Sequence, residues 1–480
     1  MSPFRTKKDI EKETFAIEDE APRVRVEDDS SSYDSSQFAE LAAKEEGHDI
    51  KFRTLTWKKA TLLLFGEYVC LAILALPWCL SVLGWACGLI VLVALGFFCW
   101  YTSYTLWQWC MRHPESTDMV DIAATLFPRF PWLARELTGF FLLVNNVMLI
   151  GFHVFTGAKI LNTLSEHSMC TVAFQGFSAI MGIVFSLPRT LKDVSKMGVF
   201  SAISMGIAIL LALIFSGIED HPLGGYGGKW PELGPVRTSG GFPTPKPDFV
   251  GGLNAVLNMA FLWNGQILYP SFIAEMKEPK DFPKALAALT ALEMGLFVVV
   301  SVVGYYYLGQ YAQAPMMGSF VNPSYRKAAF AFVLPPTIII GGIYSNVTSK
   351  YLYRRILGNS RHAHSNTVLG WGTWLSIVFL IWTVAFVLGN VIPSMGDFLS
   401  IISSSCTSWF GFMFWAVAYY RMNKKRLFKG PLKCFTTFLN VLIFGFGLFM
   451  LGAGLYTSIE AIILDYQGPV RGTFSCADNQ

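Results

Sequence analysis

The stretch FGEYVCLAILALPW, residues 65–78, lies within about two dozen mostly apolar residues between Ala60 and Leu83, and it sets Glu67 among them. A lone carboxylate in apolar surroundings costs several kcal/mol unless it is protonated, paired or wetted. The rest of the chain decides whether those surroundings are hydrocarbon or protein interior. Its 480 residues are 53% hydrophobic and 15% charged, whereas soluble domains carry about 25% charged residues. Apolar runs of about 20 residues recur with the charges pushed between them, the length at which a helix crosses roughly 30 Å of hydrocarbon. The chain therefore reads as an all-α integral membrane protein. Its net charge of +4 carries no nucleic-acid signal.

The hydropathy pattern predicts 11 transmembrane helices, at about 60–83, 85–110, 136–162, 171–188, 197–217, 249–273, 285–309, 327–350, 367–391, 396–420 and 435–463. With the N-terminus inside, the inner loops hold 19 Lys and Arg and the outer loops and C-terminal tail hold 6. The excess of inner positive charge places the N-terminus in the cytoplasm and, with an odd span count, the C-terminus outside. Three parts follow: a disordered cytoplasmic N-terminal tail over 1–56, a transmembrane domain over 57–465 and an extracellular C-terminal tail over 466–480. The first 56 residues carry 14 acidic and 9 basic side chains and the cluster SSSYDSS at 30–36. That composition cannot bury a core, and it reads either as a solvated tail without a task or as a regulatory tail that meets trafficking machinery. No apolar segment precedes the first span and residue 2 is Ser, so neither cleavage nor myristoylation is expected. Membrane lipid is the surrounding partner.

Two spans are interrupted, five apart. Span 1 carries Gly66, Glu67, Tyr68 and Cys70 ahead of AILALPW, and span 6, LNMAFLWNGQILYPSF, carries Trp263, Asn264, Gly265 and Gln266 mid-span with Pro270 after them. Broken helices at matched positions of two halves mark transporters built from inverted repeats, here spans 1–5 and 6–10, with span 11 added. Taken singly, such breaks are also common as kinks or close-packing points. Amides freed at the start of a half-helix attract a carboxylate, and freed carbonyls attract an ammonium or cation. A zwitterionic amino acid presents both groups. Its side-chain pocket would be lined by Phe261, Trp263 and residues of spans 3 and 8.

Other polar residues in the spans have two readings each. Asn145 and Asn146 in span 3 either face a central cavity or join helices. Ser345, Asn346 and Thr348 in span 8 either ligate sodium or pack helices. Glu293 in span 7 is a second candidate proton site beside Glu67, while Lys159 and Glu460 near the outer ends snorkel. His153 completes the set of ionisable intruders. Most cysteines lie in spans as small apolar residues. Only Cys170 and Cys476 face the oxidising side, and the topology suggests that they pair. No His/Cys metal spacing, nucleophile elbow or phosphate loop occurs, so no enzyme, metal or cofactor is expected and an ion gradient would drive uphill movement.

CLAILALPW resembles the G-x-G-I-L-A-L-P segment of the amino acid/auxin permease family (the amino acid/polyamine transporter 2 family). FGEYVCLAILALP is similar to the glutamate-containing version in fungal neutral amino acid permeases. PSFIAEMKEPKDFPKAL, residues 270–286, resembles that family's P-E-I-x-x-E-M-K-x-P-x-D-F-P-K signature. The resemblance covers roughly residues 55–465. It implies a LeuT-like 5+5 inverted repeat plus one extra helix, and amino acid movement coupled to protons, or to sodium in some animal members. Carried over by position, the substrate site comprises Glu67, Cys70, Leu71, Ala72, Ile73, Asn145, Trp263, Asn264, Gly265 and Gln266. Cys70 and Ala72 depart from the family's paired glycines and put side chains where the backbone comes closest to substrate. The expectation is a proton-coupled neutral amino acid importer at a fungal plasma membrane, with a vacuolar membrane as the alternative. An exporter of an amino-acid-derived specialised metabolite and an amino acid sensor signalling through the tail are further readings. Glu67, about 12 Å of helix from Lys59, is either the group that carries the proton inward or inner-end glue.

Overall fold

The computed structural model describes residues 53, 55–188, 194–223, 234–358, 360, 367–468 and 471–478. The N-terminal tail with its serine cluster, and the glycine-rich 224–233, lie outside the described residues.

The apolar runs form helices, in chain order: α1 Trp57–Tyr68, a 3-10 turn Leu71–Ala75, α2 Leu76–Leu83, α3 Trp85–Arg112, α4 Met119–Leu126, α5 Pro131–Ser165, α6 Thr171–Ser186 and α7 Val194–Ile218. The second half continues with α8 Phe249–Leu262, α9 Tyr269–Glu275, α10 Phe282–Leu308, α11 Pro323–Ala331, α12 Leu334–Leu357 and α13 Val368–Val391. After α14 Met395–Ile402 comes a π-helical stretch Ser403–Met413, then α15 Phe414–Asn423, α16 Pro431–Phe449, a π turn Met450–Gly454 and α17 Leu455–Gln467. Among the described residues, 8 helices are long and apolar enough to cross a membrane, or 9 if α1 and the bent segment after it count as one. The expected spans 4 and 6 correspond to the shorter apolar helices Thr171–Ser186 and Phe249–Leu262. The first falls short of membrane-crossing length and the second stops at a break, so the count of 11 is not reached on length alone.

Two groups of helices pack side by side and share the main apolar core, to which Phe152 and Phe155 of α5 contribute alongside Leu80 of α2 and Phe297 of α10. In one, α10 lies against α1, α2 and α3, and α8 lies against α2. In the other, α5 packs on α6, α12 and α13. Trp382 locks this second group: its Nε1 donates to Ser186 Oγ at 3.1 Å and Ser345 Oγ at 3.0 Å. Its ring occupies the room left by Gly182, where a Cβ would stand 1.9 Å from it. α7 contacts both α1 and α12, and α14 contacts both α8 and α5, so these two helices flank the groups. Large apolar side chains such as Ile90, Phe97, Leu210, Phe379 and Phe438 point outward, the surface that hydrocarbon requires. α4, an unforeseen short helix between spans 2 and 3, starts at an N-cap, where Asp118 Oδ1 accepts from the amides of Val120 and Asp121, both at 2.8 Å.

A disulfide joins Cys170 to Cys476 and holds the C-terminal segment against the start of α6. There Thr171 Oγ1 donates to Ala477 O at 2.6 Å and accepts from Asn162 Nδ2 at 2.8 Å.

Candidate functional site

The two interrupted spans meet. α1 ends at Tyr68, Cys70 is extended (φ −124°, ψ 168°), and the chain resumes as the 3-10 turn Leu71–Ala75 before α2, bent by 54° from α1. Leu71, Ala72 and Ile73 are all buried. Pro77, at the second position of α2, needs no amide partner there. In span 6, α8 stops at Leu262, and the residues from Trp263 to Leu268 carry no regular helix before α9 begins with Pro270 at its second position. α8 packs on the Leu71–Ala75 turn.

A hydrogen bond joins the breaks: Tyr68 Oη donates to Tyr269 Oη at 3.1 Å. Gly265 makes the room for it. A Cβ there would stand 1.0 Å from Tyr68 Oη and 2.6 Å from Tyr269 Oη. Glu293, on α10, lies within electrostatic reach of both hydroxyls. It is 3% exposed, and its Oε1 has no hydrogen-bond partner among the described residues. The two candidate proton groups therefore have different neighbours. Glu67, partly exposed, turns toward α7, where its Oε1 lies 4.0 Å from the position of a Cβ on Gly198. It is also in electrostatic reach of Cys70 and of Tyr344 on α12.

Around the second break the side chains take directions that spacing alone does not reveal. Trp263 turns into the first helix group: its ring meets Phe297 at 4.9 Å between centroids and lies against Gly96 of α3. Its backbone lies in the break while its ring packs between α3 and α10. Gln266 is fully buried and donates through Nε2 to Thr102 Oγ1 at 3.1 Å and Cys99 O at 3.4 Å. Because the Cys99 carbonyl only accepts, the amide nitrogen is fixed on that side and Oε1 faces away. Oε1 then converges with Asn264 Oδ1 on Gly411 of the π stretch: a Cβ at Gly411 would meet them at 3.9 and 3.8 Å and Thr407 Cγ2 at 3.2 Å. Span 10 thus belongs to the surroundings of the break. Its polar run SSSCTS, 403–408, was the available signal, and π segments recur at functional sites.

In span 3 the two asparagines bond to each other. Asn145 is buried, and its Nδ2 donates to Asn146 Oδ1 at 3.2 Å, a contact within one helix. In span 8 the polar side chains bond within the protein. Ser345 Oγ accepts from Trp382, Asn346 Nδ2 donates to Pro188 O at 2.5 Å and Thr348 Oγ1 donates to Tyr344 O at 2.7 Å. These bonds favour the packing reading. Among the described residues no cluster of three His, Cys, Asp or Glu side chains has metal-holding geometry.

The sequence profile described as "Transmembrane amino acid transporter protein" matches residues 53–460. An "N amino acid transport system protein" of Neurospora crassa is 32% identical over 437 residues, 90% of each chain. A "Transmembrane transporter" of Gibberella moniliformis is 29% identical over 95% of this chain and 94% of its own length. Among solved structures, a Na+-coupled sialic acid symporter superposes with a TM-score of 0.50 at 11% identity, covering 89% of this chain and 92% of the symporter. That likeness is one of fold.

Proposed function

The chain belongs to the transmembrane amino acid transporter family, and on that premise we propose that it moves neutral amino acids across the membrane by proton-coupled symport with alternating access. That it is an all-helical membrane transporter follows from its family and fold; substrate and coupling are the proposal. The supporting observation is the meeting of two broken helices at a glycine, Gly265, with the hydroxyl of Tyr68 seated on it. The start of the Leu71–Ala75 turn offers backbone amides to a carboxylate, and the end of α8 offers carbonyls to an ammonium. Cys70, Leu71, Ala72 and Ile73 then form one wall, and Asn264, Gly265 and Gln266 the other. In this reading α6 and α8 are counted as spans, giving 11 in a 5+5 inverted repeat with one helix added, the excess of Lys and Arg in the inner loops supports a cytoplasmic N-terminus, and the plasma membrane is the proposed location.

Glu67 is the proposed coupling group, because it stands beside the break, faces α7 at Gly198 and is only partly buried. A carboxylate there gains a proton when its cavity opens outward and loses it to the cytoplasm when the cavity reopens. The test is uptake of labelled amino acids by permease-deficient cells across outside pH values, with and without sodium. Glu67→Gln is expected to abolish accumulation driven by acid outside while leaving substrate exchange. Persistent accumulation moves the role to Glu293, and absence of uptake for all twenty amino acids at acidic pH defeats the reading.

A further inference from the structure

We propose that the Tyr68–Tyr269 hydroxyl pair is the latch that closes the site on the side of the N-terminal tail, by tying the half-helices α1 and α9 together where they meet the breaks. The proposal rests on the transport reading for what passes the latch, but not for the latch itself. α1 and α9 are the half-helices on that side, and they are joined at both ends. At one end Leu55, just before α1, pairs with Met276, just after α9: Leu55 N donates to Glu275 O at 3.1 Å and Lys277 N donates to Leu55 O at 2.8 Å. At the other end stand Tyr68, the last residue of α1, and Tyr269, the first of α9, bonded through their hydroxyls at 3.1 Å.

The two ends differ in what holds them. The outer contact is backbone on backbone and indifferent to side chains. The Tyr contact depends on two phenols and on Gly265, which leaves room for both hydroxyls beside the unwound chain. Tyr269 is fixed from behind, its ring against Phe282 at 5.5 Å between centroids. α1 is held to α10 by Thr61 Oγ1, which reaches Ala285 O at 3.3 Å. Both half-helices are thus anchored on α10, Tyr269 through Phe282 and the N-terminal part of α1 through Thr61, and the hydroxyl contact at the far end of α1 is the one that parts when the path opens. A neutral hydroxyl pair suits a reversible closure. When the path opens, each hydroxyl exchanges its partner for water, so neither state is left with an unmet polar group. A charged pair would bind the closed state more tightly and resist parting.

Cys70, two residues beyond Tyr68 and partly exposed, reports on the path. In the full-length chain with Cys434→Ser and Cys87→Ser, the other free cysteines are buried. A membrane-impermeant maleimide is applied to sealed vesicles of each orientation, and its rate of reaction with Cys70 measures opening. From the N-terminal face, Tyr68→Phe and Tyr269→Phe are each expected to raise the rate about three- to tenfold, the shift in a two-state equilibrium that one lost hydrogen bond produces. The double variant is expected to match the singles, because either substitution removes the same bond. Unchanged rates in both singles overturn the latch, as do multiplying effects in the double or acceleration only from the opposite face. Tyr269→Phe carries the test if Tyr68→Phe does not reach the membrane. In the same vesicles, protection of Cys70 by saturating amino acid tests the transport reading separately. Acceleration without protection leaves the latch standing and removes the proposed substrate.

Discussion

The two breaks do the same topological job with different materials. At the first, a 3-10 turn of five buried apolar residues, Leu71–Ala75, replaces the helix, and apolar packing holds it. At the second, six residues run without regular helix, anchored by Gln266 to Thr102 and Cys99 and by the ring of Trp263 against Gly96 and Phe297. A break can therefore be kept open by burying apolar side chains around a tightened turn, or by hydrogen-bonding the unwound chain to a neighbouring helix. The first leaves backbone groups as its main polar offering. The second spends part of its side-chain polarity on its own support.

The largest contrast lies between two glycines. A Cβ at Gly265 meets Tyr68 Oη at 1.0 Å and Tyr68 Cζ at 2.3 Å, whereas a Cβ at Gly66, in α1, has Ala202 Cβ at an ordinary 3.4 Å as its nearest neighbour. Gly265→Ala must expel the Tyr68 ring, and the expected cost is about 3 kcal/mol with loss of transport, at the upper end for overpacking. Gly66→Ala is expected to be neutral or stabilising by up to about 1 kcal/mol through helix propensity. Thermal melting of the detergent-purified variants checks both. Similar melting points would erase the distinction between a glycine that serves a contact and one that merely sits in a helix.

A second expected difference is the response to lost polarity. Gln266→Leu removes both bonds to α3 and leaves Thr102 Oγ1 with only Cys99 O at 3.1 Å. The expected cost is about 2 kcal/mol, within the range for stranding buried polar groups. No side chain of the Leu71–Ala75 turn has an equivalent to lose. If Gln266→Leu melts like the parent chain, the second break is held by packing too, and the two differ less than their chemistry suggests.

Both breaks were legible in the sequence because polar residues and proline interrupt apolar runs that are otherwise long enough to cross a membrane. The direction of each side chain was not. Trp263 and Asn264 are neighbours, yet one ring enters the core of α3 and α10 while the other amide turns to Gly411 in span 10. Helical periodicity does not extend through an unwound segment, so spacing says nothing about its faces. The contact between Tyr68 and Tyr269 spans 201 residues of sequence, and although Tyr68 marks the first break, nothing in the sequence pairs it with Tyr269. The same limit explains the π stretch Ser403–Met413 and the short α4. A serine-rich apolar run reads as an ordinary span, and an eight-residue helix is too short to show a period. Span counting met a different limit, since length is a poor guide to a helix such as α8 that stops at a break.

The smallest expected effect concerns Cys70, where the family's segment has glycine. Its φ of −124° and ψ of 168° are extended backbone that any residue adopts, so no conformational need for glycine survives here and the thiol adds shape. Cys70→Gly adds backbone freedom to the unfolded chain, at about 0.5–1 kcal/mol. It also clears space beside the turn, where the thiol stands close to the Ala72 and Ile73 amides. The expected outcome is a lower KM for bulky amino acids, by a few-fold, with KM for small ones unchanged, since removing a steric obstacle changes discrimination by only about 1 kcal/mol. The measurement is the ratio of KM values for a large and a small substrate in the parent and the variant. An unchanged ratio would mean that the first break meets the substrate through backbone alone, and the contrast between the breaks would then be complete: one offering amides, the other side chains.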